Sequence, residues 1–409
     1  MQDKSYLFLT MLIFAPHFVG YLTLFVQTFD EKLIVIYVLE VLLFMLINIL
    51  YKIFYPKKSR LLHCNMLMLM SIGFIVLSRI NYDLAVKQVL IVGLSFGVCL
   101  IVPVIIKRID LIKRFGWLYG FAALLLLIAV SFAGTSRYGA TNWLEIKGFI
   151  FQPSELVKIL FIFFVAAMFR DKPKFKRVCS VTAIAASIVL ILVLQRDLGG
   201  ALIFFITYLF MLYIATSKSF YLFSGLAAGS LAATVSYKLF NHVRVRVTAW
   251  RDPLGHIDKE GFQISQSLFA IGTGSWLGMG LNRGLPTSIP VVESDFIFSA
   301  ISEEFGGLFA ICLIMLYINC FFTMINISVK MEDIFYRLFC SGAAVMFGFQ
   351  VFLCIGGVIK FIPSTGVTLP LISYGGSSMF VTILMFMIFQ GIYMRGRSDK
   401  RQHKVEKPH

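Results

Sequence analysis

A few ionisable side chains interrupt stretches of the sequence that are otherwise strongly apolar, and they are the first candidates for chemistry. Glu155 and Lys158 are three residues apart, so on a helix they would share one face and could neutralise each other. Such a pair could hold a short helix in place or form the floor of a polar cavity. Glu303 and Glu304 lie in a second apolar stretch, and Glu40 lies alone in a third without an evident partner. Because a charge inside a membrane is costly, such residues are usually functional.

Asp295 lies where a polar loop becomes an apolar helix, in the segment ESDFIFSAISEEFGG. The positive end of a helix dipole favours the ionised form of a carboxylate in the first turn. Taken alone, the residues favour a simple role for Asp295, a helix cap beside Ser294. Glu303 would lie about two turns further along and, at about 100° per residue, about 80° around the helix from Asp295. Of the two neighbouring glutamates, we therefore expect Glu303 to face a cavity.

The composition shows which elements must position these residues. The chain has 409 residues, of which 59% are hydrophobic and 14% charged. A soluble domain is about 45–50% apolar and about 25% charged, so an ordinary soluble protein is excluded, as are disorder, a coiled coil and a secreted disulfide scaffold. A helix needs about 20 apolar residues to cross a membrane. The predicted spans are twelve, give or take one, near 6–26, 33–51, 62–80, 87–106, 116–133, 155–169, 178–194, 198–216, 219–237, 296–326, 338–359 and 376–394.

The formal net charge of +16 has two explanations, binding to nucleic acid or orientation in a membrane. With the N-terminus placed in the cytoplasm, the loops on that side carry 23 Lys and Arg residues, and those on the other side carry 13. A surplus of Lys and Arg in short loops marks the cytoplasmic side. We therefore predict that both termini are cytoplasmic and that nucleic acid is not a partner.

Three segments on the predicted outer side depart from plain helices, at 134–155, 238–295 and 357–376. Irregular backbone at membrane level is tolerated only where it lines a cavity or is buried in protein, so function is predicted on this face. The seven cysteines all fall inside predicted spans without a CxxC pair, and histidine is sparse. This pattern argues against a disulfide framework or a metal cluster.

Five ordered blocks of sequence together resemble one family. The blocks are QPSELVKI (152–159), QRDLGGA (195–201), RVTAWRDP (246–253) followed by GFQISQSLFAIGTGSWLGMGL (261–281), ESDFIFSAISEEFG (293–306) and IPSTGVTLPLISYGGSS (362–378). In this order and spacing they resemble the RodA/FtsW-like SEDS family (shape, elongation, division and sporulation). The resemblance covers residues 62–395.

We therefore predict an all-α, polytopic integral membrane protein with about twelve transmembrane helices. The resemblance implies a core of ten helices, which corresponds to predicted spans three to twelve. Residues 57–395 would form this core, with a large extracytoplasmic loop at 238–295, and residues 396–409 would form a basic cytoplasmic tail. Residues 1–56 would be two additional N-terminal transmembrane helices, which could dock a partner or simply pack against the core.

The resemblance implies a peptidoglycan glycosyltransferase of the bacterial plasma membrane that polymerises lipid II into glycan strands on the outer face. It also implies a class B penicillin-binding protein, a transpeptidase, as partner, in cell elongation, division or sporulation. The family's catalytic aspartate maps onto Asp295, which would then be a general base. The family's QPSE glutamate and the lysine that follows it map onto Glu155 and Lys158. The arginine and aspartate of its RV…DP block map onto Arg246 and Asp252.

The chain departs from the family's pattern at four positions. Asn142 stands where the family often has arginine, and Arg196 stands where it often has proline. Glu293 replaces a histidine before the catalytic block, and Ser275 replaces a glycine. These departures bear on substrate contacts more than on the reaction. Arg196 could supply the positive charge that is missing at Asn142.

The implied reaction inverts the anomeric carbon with one carboxylate base, and cationic groups would stabilise charge on the leaving pyrophosphate. The candidates for substrate binding are Arg137, Lys147, Arg196, Arg246, Lys360 and Ser377. No cofactor is evident, although a divalent cation (Mg²⁺ or Mn²⁺) could share in stabilising this charge. Two other functions stay open, a lipid II flippase or transporter and a non-catalytic membrane scaffold for the transpeptidase.

Overall fold

The computed structural model describes residues 2–108, 110–137, 140–146 and 149–405, and these residues are mostly helical. Two short 3₁₀ helices, Asp110–Arg114 and Pro286–Ser288, accompany the α-helices. The α-helices are α1 (Gln2–Thr28), α2 (Lys32–Phe54), α3 (Arg60–Ile80), α4 (Tyr82–Cys99), α5 (Val102–Arg108), α6 (Gly116–Ala133), α7 (Pro153–Met168), α8 (Phe175–Leu194), α9 (Leu198–Thr216), α10 (Ser219–Leu239), α11 (Asn241–Arg251), α12 (Phe262–Gly274), α13 (Ile297–Val329), α14 (Ile334–Val358) and α15 (Gly376–Val405).

Eleven helical stretches of the described residues are long and apolar enough to cross a membrane, which confirms an all-α, multi-pass architecture. The sixth predicted span is the exception, because α7 has only 16 residues and is about 24 Å long at 1.5 Å per residue. It nevertheless runs back along the whole of α6. Gly116 at the start of α6 lies against Met168 at the end of α7, and Gly120 lies against Phe164. Helix α7 is buried along nearly its whole length, so the protein itself covers this short helix.

The segment 134–155, which was expected to be irregular, contains a small antiparallel sheet. Its strands are β1 (Thr135–Arg137), β2 (Ala140–Ile146) and β3 (Phe149–Phe151), in the order β1-β2-β3. Glu145 pairs with Ile150 in the register of β2 and β3. Strand pairing gives the backbone groups of this segment hydrogen-bond partners, which a lipid-facing loop would lack.

The described chain divides into two compact units. The first comprises Met1–Lys107, Ser265–Thr323 and Thr368–His409, and the second comprises Arg108–Ile264 and Met324–Val367. In the second unit, α7 packs against α6, α8, α9 and α14. The sheet packs on α6 and α7 at one end of these helices.

The other end of the second unit is basic, because the loops 108–115 and 170–177 hold eight Lys and Arg residues and two aspartates. Lys113 forms an ion pair with Asp110 at 2.8 Å and another with Asp333, and the guanidinium of Arg170 donates to the backbone carbonyl of Lys113 at 3.5 Å. These residues belong to three of the loops that were predicted to be cytoplasmic. Helices α6 and α7 therefore connect this basic end to the end that carries the sheet.

In the first unit, the two N-terminal helices are joined to α3 by a buried polar network. Glu40, which had no partner evident from the sequence, pairs with His17 at 3.1 Å and accepts a hydrogen bond from the Tyr21 hydroxyl at 2.9 Å. His17 in turn bonds to Ser71, and Tyr21 bonds to Ser78. Polar bonds of this kind stabilise the association of helices in lipid, so α1 and α2 pack on the core through specific contacts.

Helix α13 is broken at Gly306, whose φ of 85° and ψ of 170° are not helical. The candidate span that contains Glu303 and Glu304, Ile297–Val329, is therefore kinked within its length. The two glutamates belong to a short helical segment, 297–305, that precedes the break. The longer segment, 307–329, is the part of α13 that can cross a membrane.

Gly73 on α3 allows a close approach of the chain before α15. A Cβ atom at position 73 would lie 2.8 Å from both the Cα and the O atom of Ile372, whereas non-bonded carbon atoms are optimally about 3.5–4.0 Å apart. We predict that Gly73→Ala lowers the free energy of unfolding by about 1–3 kcal/mol, because the backbone at Ile372 must move. Thermal unfolding in detergent measures the effect.

The matched control is Gly97→Ala on α4, where no heavy atom lies within 4 Å of an added Cβ. Alanine is favoured over glycine inside a helix by up to about 1 kcal/mol, so this variant should be at least as stable as the wild type. A Gly73→Ala protein that unfolds at the temperature of the Gly97→Ala protein would contradict the close contact.

Candidate active site

Asp295 lies half-buried in a turn, residues 291–296, directly before α13. The N–H groups of Ser294 and Asp295 both donate to the carbonyl oxygen of Val291, at 3.1 and 3.3 Å. Val291 has a φ of 60°, which is a strained conformation for a β-branched residue and costs on the order of 1–3 kcal/mol. The turn that carries Asp295 is therefore held against its local preference.

The segment before α15 holds the same turn through hydrogen bonds. The backbone N–H of Tyr374 donates to the carbonyl oxygen of Glu293 at 2.8 Å, and the hydroxyl of Ser373 donates to the carbonyl oxygen of Ser294. Both acceptors immediately precede Asp295 in the chain. The aspartate is thus fixed by its own turn and by a second, distant segment.

The break in α13 is filled by the chain that follows α12. On both sides of Gly306, backbone groups lose their partners within the helix because the helix is broken there. Four backbone hydrogen bonds from the chain after α12 replace those partners. These bonds run from Met279 N to Glu303 O (3.0 Å), from Gly280 N to Glu304 O (3.0 Å), from Gly307 N to Ser275 O (2.8 Å) and from Leu308 N to Trp276 O (3.1 Å). The short segment that follows Asp295 is therefore anchored independently of the rest of α13.

The two glutamates before the break differ in their partners. Glu304 forms an ion pair with Arg79 at 3.1 Å. Glu303 accepts a hydrogen bond from the N–H of Leu285 at 3.0 Å through Oε1, whereas its buried Oε2 has no hydrogen-bond partner among the described residues. Glu304 thus has a structural role, and Glu303 keeps an acceptor that a bound group could use.

In the second unit, Glu155 and Lys158 form the pair that their spacing predicted. Lys158 Nζ donates to Glu155 Oε1 at 2.8 Å and to Gln350 Oε1 at 2.9 Å, and Glu155 and Lys158 are both buried. The lysine therefore joins α7 to α14. This geometry fits the structural interpretation of the pair.

Asp197 is a partly buried polar residue that the sequence analysis did not place in the site. Its carboxylate accepts hydrogen bonds from the N–H of Gly200 at 2.7 Å and from the side chain of Asn142 at 2.8 Å. Burial raises the pKa of Asp197, and the Gly200 N–H and the charges of Lys158 and Arg246 partly oppose this rise. The signal in the sequence was an aspartate directly before a helix, which is a typical N-cap.

Three predicted residues lie around α11, also in the second unit. The side chain of Arg246 donates to the carbonyl oxygen of Ser364 at 3.1 Å. The indole N–H of Trp250 donates to the carbonyl oxygen of Lys360, also at 3.1 Å. Both bonds join α11 to the chain after α14. Asp252, at the end of α11, accepts from the N–H of Gly255 at 2.9 Å and so shapes the following turn. Asp252 therefore has a structural role.

The backbone of Arg196 has a φ of 63°. A proline, whose φ is fixed near −65°, could not adopt this conformation, so the departure from the family's pattern changes the backbone as well as the charge. The Arg196 side chain is exposed. Arg137 ends β1, and Lys147 lies outside the described residues.

The predicted site residues are divided between the two units. Asp295, Glu303 and Ser377, which is buried near the start of α15, belong to the first. The second contains the remaining predicted residues, namely Arg137, Glu155, Lys158, Arg196, Arg246, Asp252 and Lys360.

A family profile described as "Cell cycle protein" (FTSW_RODA_SPOVE) matches residues 58–398. Among curated proteins, the peptidoglycan glycosyltransferase RodA of Mycobacterium leprae is 29% identical over 374 residues, which cover 85% of this chain and 80% of that protein. A probable peptidoglycan glycosyltransferase FtsW of Geobacter sp. (strain M18) is 32% identical over 284 residues, which cover 67% of this chain and 77% of that protein.

A solved chain has the same fold. It comes from a structure described as the structural coordination of polymerization and crosslinking by a peptidoglycan synthase complex. The two chains align with a TM-score of 0.72 at 25% identity, over 84% of this chain and 99% of that one.

Ser275, which stands at a glycine position of the family's pattern, has a φ of 50°. Its side chain is exposed, whereas its carbonyl takes part in the bonds that fill the break in α13. We predict that Ser275→Gly raises the free energy of unfolding by about 0.5–1 kcal/mol, since glycine adopts this conformation without strain. Thermal unfolding in detergent measures the change, and a lower melting temperature would contradict it.

Proposed function

The chain belongs to the FtsW/RodA/SpoVE family of cell cycle proteins and is a multi-pass membrane peptidoglycan glycosyltransferase, and we propose that it polymerises lipid II with Asp295 as its general base. The observation that carries this proposal is the turn at 291–296. It lies within the family match and holds a half-buried carboxylate in a strained, doubly fixed backbone. General-base catalysis needs a carboxylate held in one position relative to its substrate.

The chemistry follows from the two linkages. The donor sugar of lipid II is α-linked to a lipid pyrophosphate and the glycan linkage is β, so the anomeric carbon is inverted. Pyrophosphate leaves without a proton, and one carboxylate can therefore suffice where a glycosidase needs two. Asp295 takes the proton of the acceptor's 4-hydroxyl group while that oxygen attacks the anomeric carbon. The leaving pyrophosphate keeps the electron pair of the broken C–O bond.

Positive charge is needed where the pyrophosphate gains charge. The proposed donors of this charge are Arg137, Arg196, Arg246 and Lys360, with Ser377 as a further substrate-binding residue. Arg196 is the most exposed of those cations whose side chains are described. It is therefore the cation best suited to a direct test.

A divalent cation such as Mg²⁺ or Mn²⁺ would have few protein ligands. In the described part of the chain, no group of three or more His, Cys, Asp or Glu side chains is close enough to hold a metal ion. If a cation takes part, we expect the pyrophosphate oxygens to supply most of its ligands, because phosphate oxygens are preferred by Mg²⁺.

We place the reaction on the outer face of the bacterial plasma membrane, with both termini in the cytoplasm. The basic end of the second unit, around Lys113 and Arg170, supports this orientation because Lys and Arg mark the cytoplasmic side. A class B penicillin-binding protein is the proposed partner. The support is the similar chain of known structure, which belongs to a synthase complex that combines polymerization with crosslinking.

Asp295→Asn should abolish polymerisation. The amide cannot accept the proton, and the loss of a general base typically costs about 10²–10⁴ in rate. Purified protein with its partner, supplied with lipid II, should yield glycan strands from the wild type and none from this variant on the same time scale. The matched control is Asp258→Asn, a substitution of an exposed loop aspartate, which should polymerise normally.

Glycan strands from Asp295→Asn at the wild-type rate would overturn the role of Asp295 as base. If neither wild type nor variant polymerises while the wild type moves lipid II across vesicle membranes, a flippase would be indicated. If the wild type does neither but raises the activity of the transpeptidase, a scaffold would be indicated.

Arg196→Gly separates charge from folding. Glycine adopts a φ of about 60° without strain, so this variant should be at least as stable as the wild type. Removing the charge should nevertheless lower the rate of polymerisation about ten- to a hundredfold, in line with about 1.5–3 kcal/mol for a hydrogen bond to a charged group. Ser275→Gly is the control, because it also places glycine at a residue with left-handed backbone. This variant should keep full activity. Full activity of Arg196→Gly would exclude a contribution of this charge to the reaction.

A further inference from the structure

We infer that Ser373 is a positioning residue for Asp295, because its side chain fixes the peptide bond that precedes the aspartate. The inference rests on the proposed role of Asp295 as general base and adds the device that aims it. Ser373 is only 4% exposed and belongs to the segment between α14 and α15, far from Asp295 in sequence. It touches the turn of Asp295 through a backbone carbonyl and not through the reacting carboxylate.

The hydrogen bonds of the Ser373 hydroxyl have a fixed direction. The N–H of Leu369 lies 2.9 Å from Ser373 Oγ and can only donate, so the hydroxyl oxygen accepts there. The carbonyl of Ser294 can only accept, so the hydroxyl hydrogen must point to it. Because the serine is both acceptor and donor, its hydroxyl cannot rotate without losing a bond.

The bond to Ser294 fixes a whole peptide plane. The carbonyl of Ser294 and the N–H of Asp295 belong to the same planar unit. The carbonyl is held by Ser373, and the N–H is held by Val291 at 3.3 Å. With both polar ends held, this plane cannot rotate, and the direction in which the Asp295 side chain leaves the backbone is set.

The turn needs such an external restraint because its backbone is strained. Val291 has a φ of 60° on one side of the contact, and Leu371 has a φ of 66° on the other. Strained conformations persist only where the surrounding structure over-determines them. The bonds from Ser373 and Tyr374 to the turn supply that restraint.

Ser373 is itself anchored to the helices of the first unit. Gln88 on α4 donates to the Ser373 carbonyl at 3.2 Å, and the Tyr317 hydroxyl on α13 donates to the carbonyl of Pro370 at 2.7 Å. Gly73 on α3 lies against the backbone of Ile372. The segment that carries Ser373 is thus held by α3, α4 and α13, and Ser373 in turn holds the turn of Asp295.

This arrangement predicts a defect in turnover and not in binding. In Ser373→Ala the peptide before Asp295 loses its restraint, so the carboxylate spends less time aligned with the acceptor hydroxyl. A displacement of about 1 Å can cost about 10²-fold in rate. We expect kcat for lipid II polymerisation to fall by about ten- to a hundredfold, with KM for lipid II unchanged within about twofold.

Two further variants set the control and the rescue. Ser95→Ala removes another buried serine hydroxyl of the first unit, whose one hydrogen bond among the described residues goes to the carbonyl of Ile91 on its own helix. It should keep wild-type kcat. Ser373→Thr keeps the hydroxyl and should recover most of the activity. Should the threonine variant fail to fold, Gln88→Met, which removes the bond to the Ser373 carbonyl, should lower kcat about threefold at unchanged KM.

A double-mutant cycle with Asp295→Glu decides whether Ser373 acts through the aspartate. The longer side chain already displaces the carboxylate, so Ser373→Ala should lower the residual kcat of Asp295→Glu by less than about threefold. Equal losses of kcat in both backgrounds, or a loss that appears in KM alone, would overturn the inference. So would wild-type kcat in Ser373→Ala when Asp295→Asn is inactive, a result that leaves the proposed function intact. Activity in Asp295→Asn would instead remove the proposed base itself.

Discussion

Backbone N–H and C=O groups at membrane level must find partners within the protein, because lipid offers none. The structure around Asp295 depends on this constraint. Where α13 breaks at Gly306, the chain after α12 supplies the missing partners, and the segment 368–375 does the same for the turn at 291–296. The break at Gly306 and the turn at 291–296 are therefore both held by backbone hydrogen bonds from distant segments. A carboxylate placed on this turn is held in a defined position.

Several buried charged side chains are likewise bonded to a neighbouring helix. Glu40 joins α2 to α1, and the attached serines continue the network to α3. Glu304 is bonded to Arg79 of α3, and Lys158 bonds to α14 through Gln350. In a low-dielectric interior such pairs are costly to break. Their positions therefore fix which helices can be neighbours, and they serve the scaffold more than the reaction.

The parts of the fold that follow from local pattern could be predicted from the sequence. Apolar windows located the spans, and the three-residue spacing of Glu155 and Lys158 anticipated their contact. The partners of Glu40 could not be found, because no periodicity links residues of different helices. The sequence marks Asp197 as an N-cap. Its bond to Asn142 could not be predicted, because it depends on how β2 packs against the start of α9. The segment that holds Asp295 was recognised as a motif in the sequence. Its hydrogen bonds to the turn could not be predicted, because the two segments are far apart in the chain.

Two of the departures from the family's pattern have consequences for the backbone conformation. Five of the eight non-glycine residues with left-handed backbone among those described lie in the segments 238–295 and 357–376, and Ser275 is one of them. A glycine there would adopt the same φ without strain, so this departure keeps the backbone and adds a cost. Arg196 is the opposite case, since a proline could not adopt its φ of 63°. A relative with proline at this position must therefore turn the corner before α9 differently. Because the next residue, Asp197, is bonded to Asn142, the departures at 142 and 196 both lie at this corner.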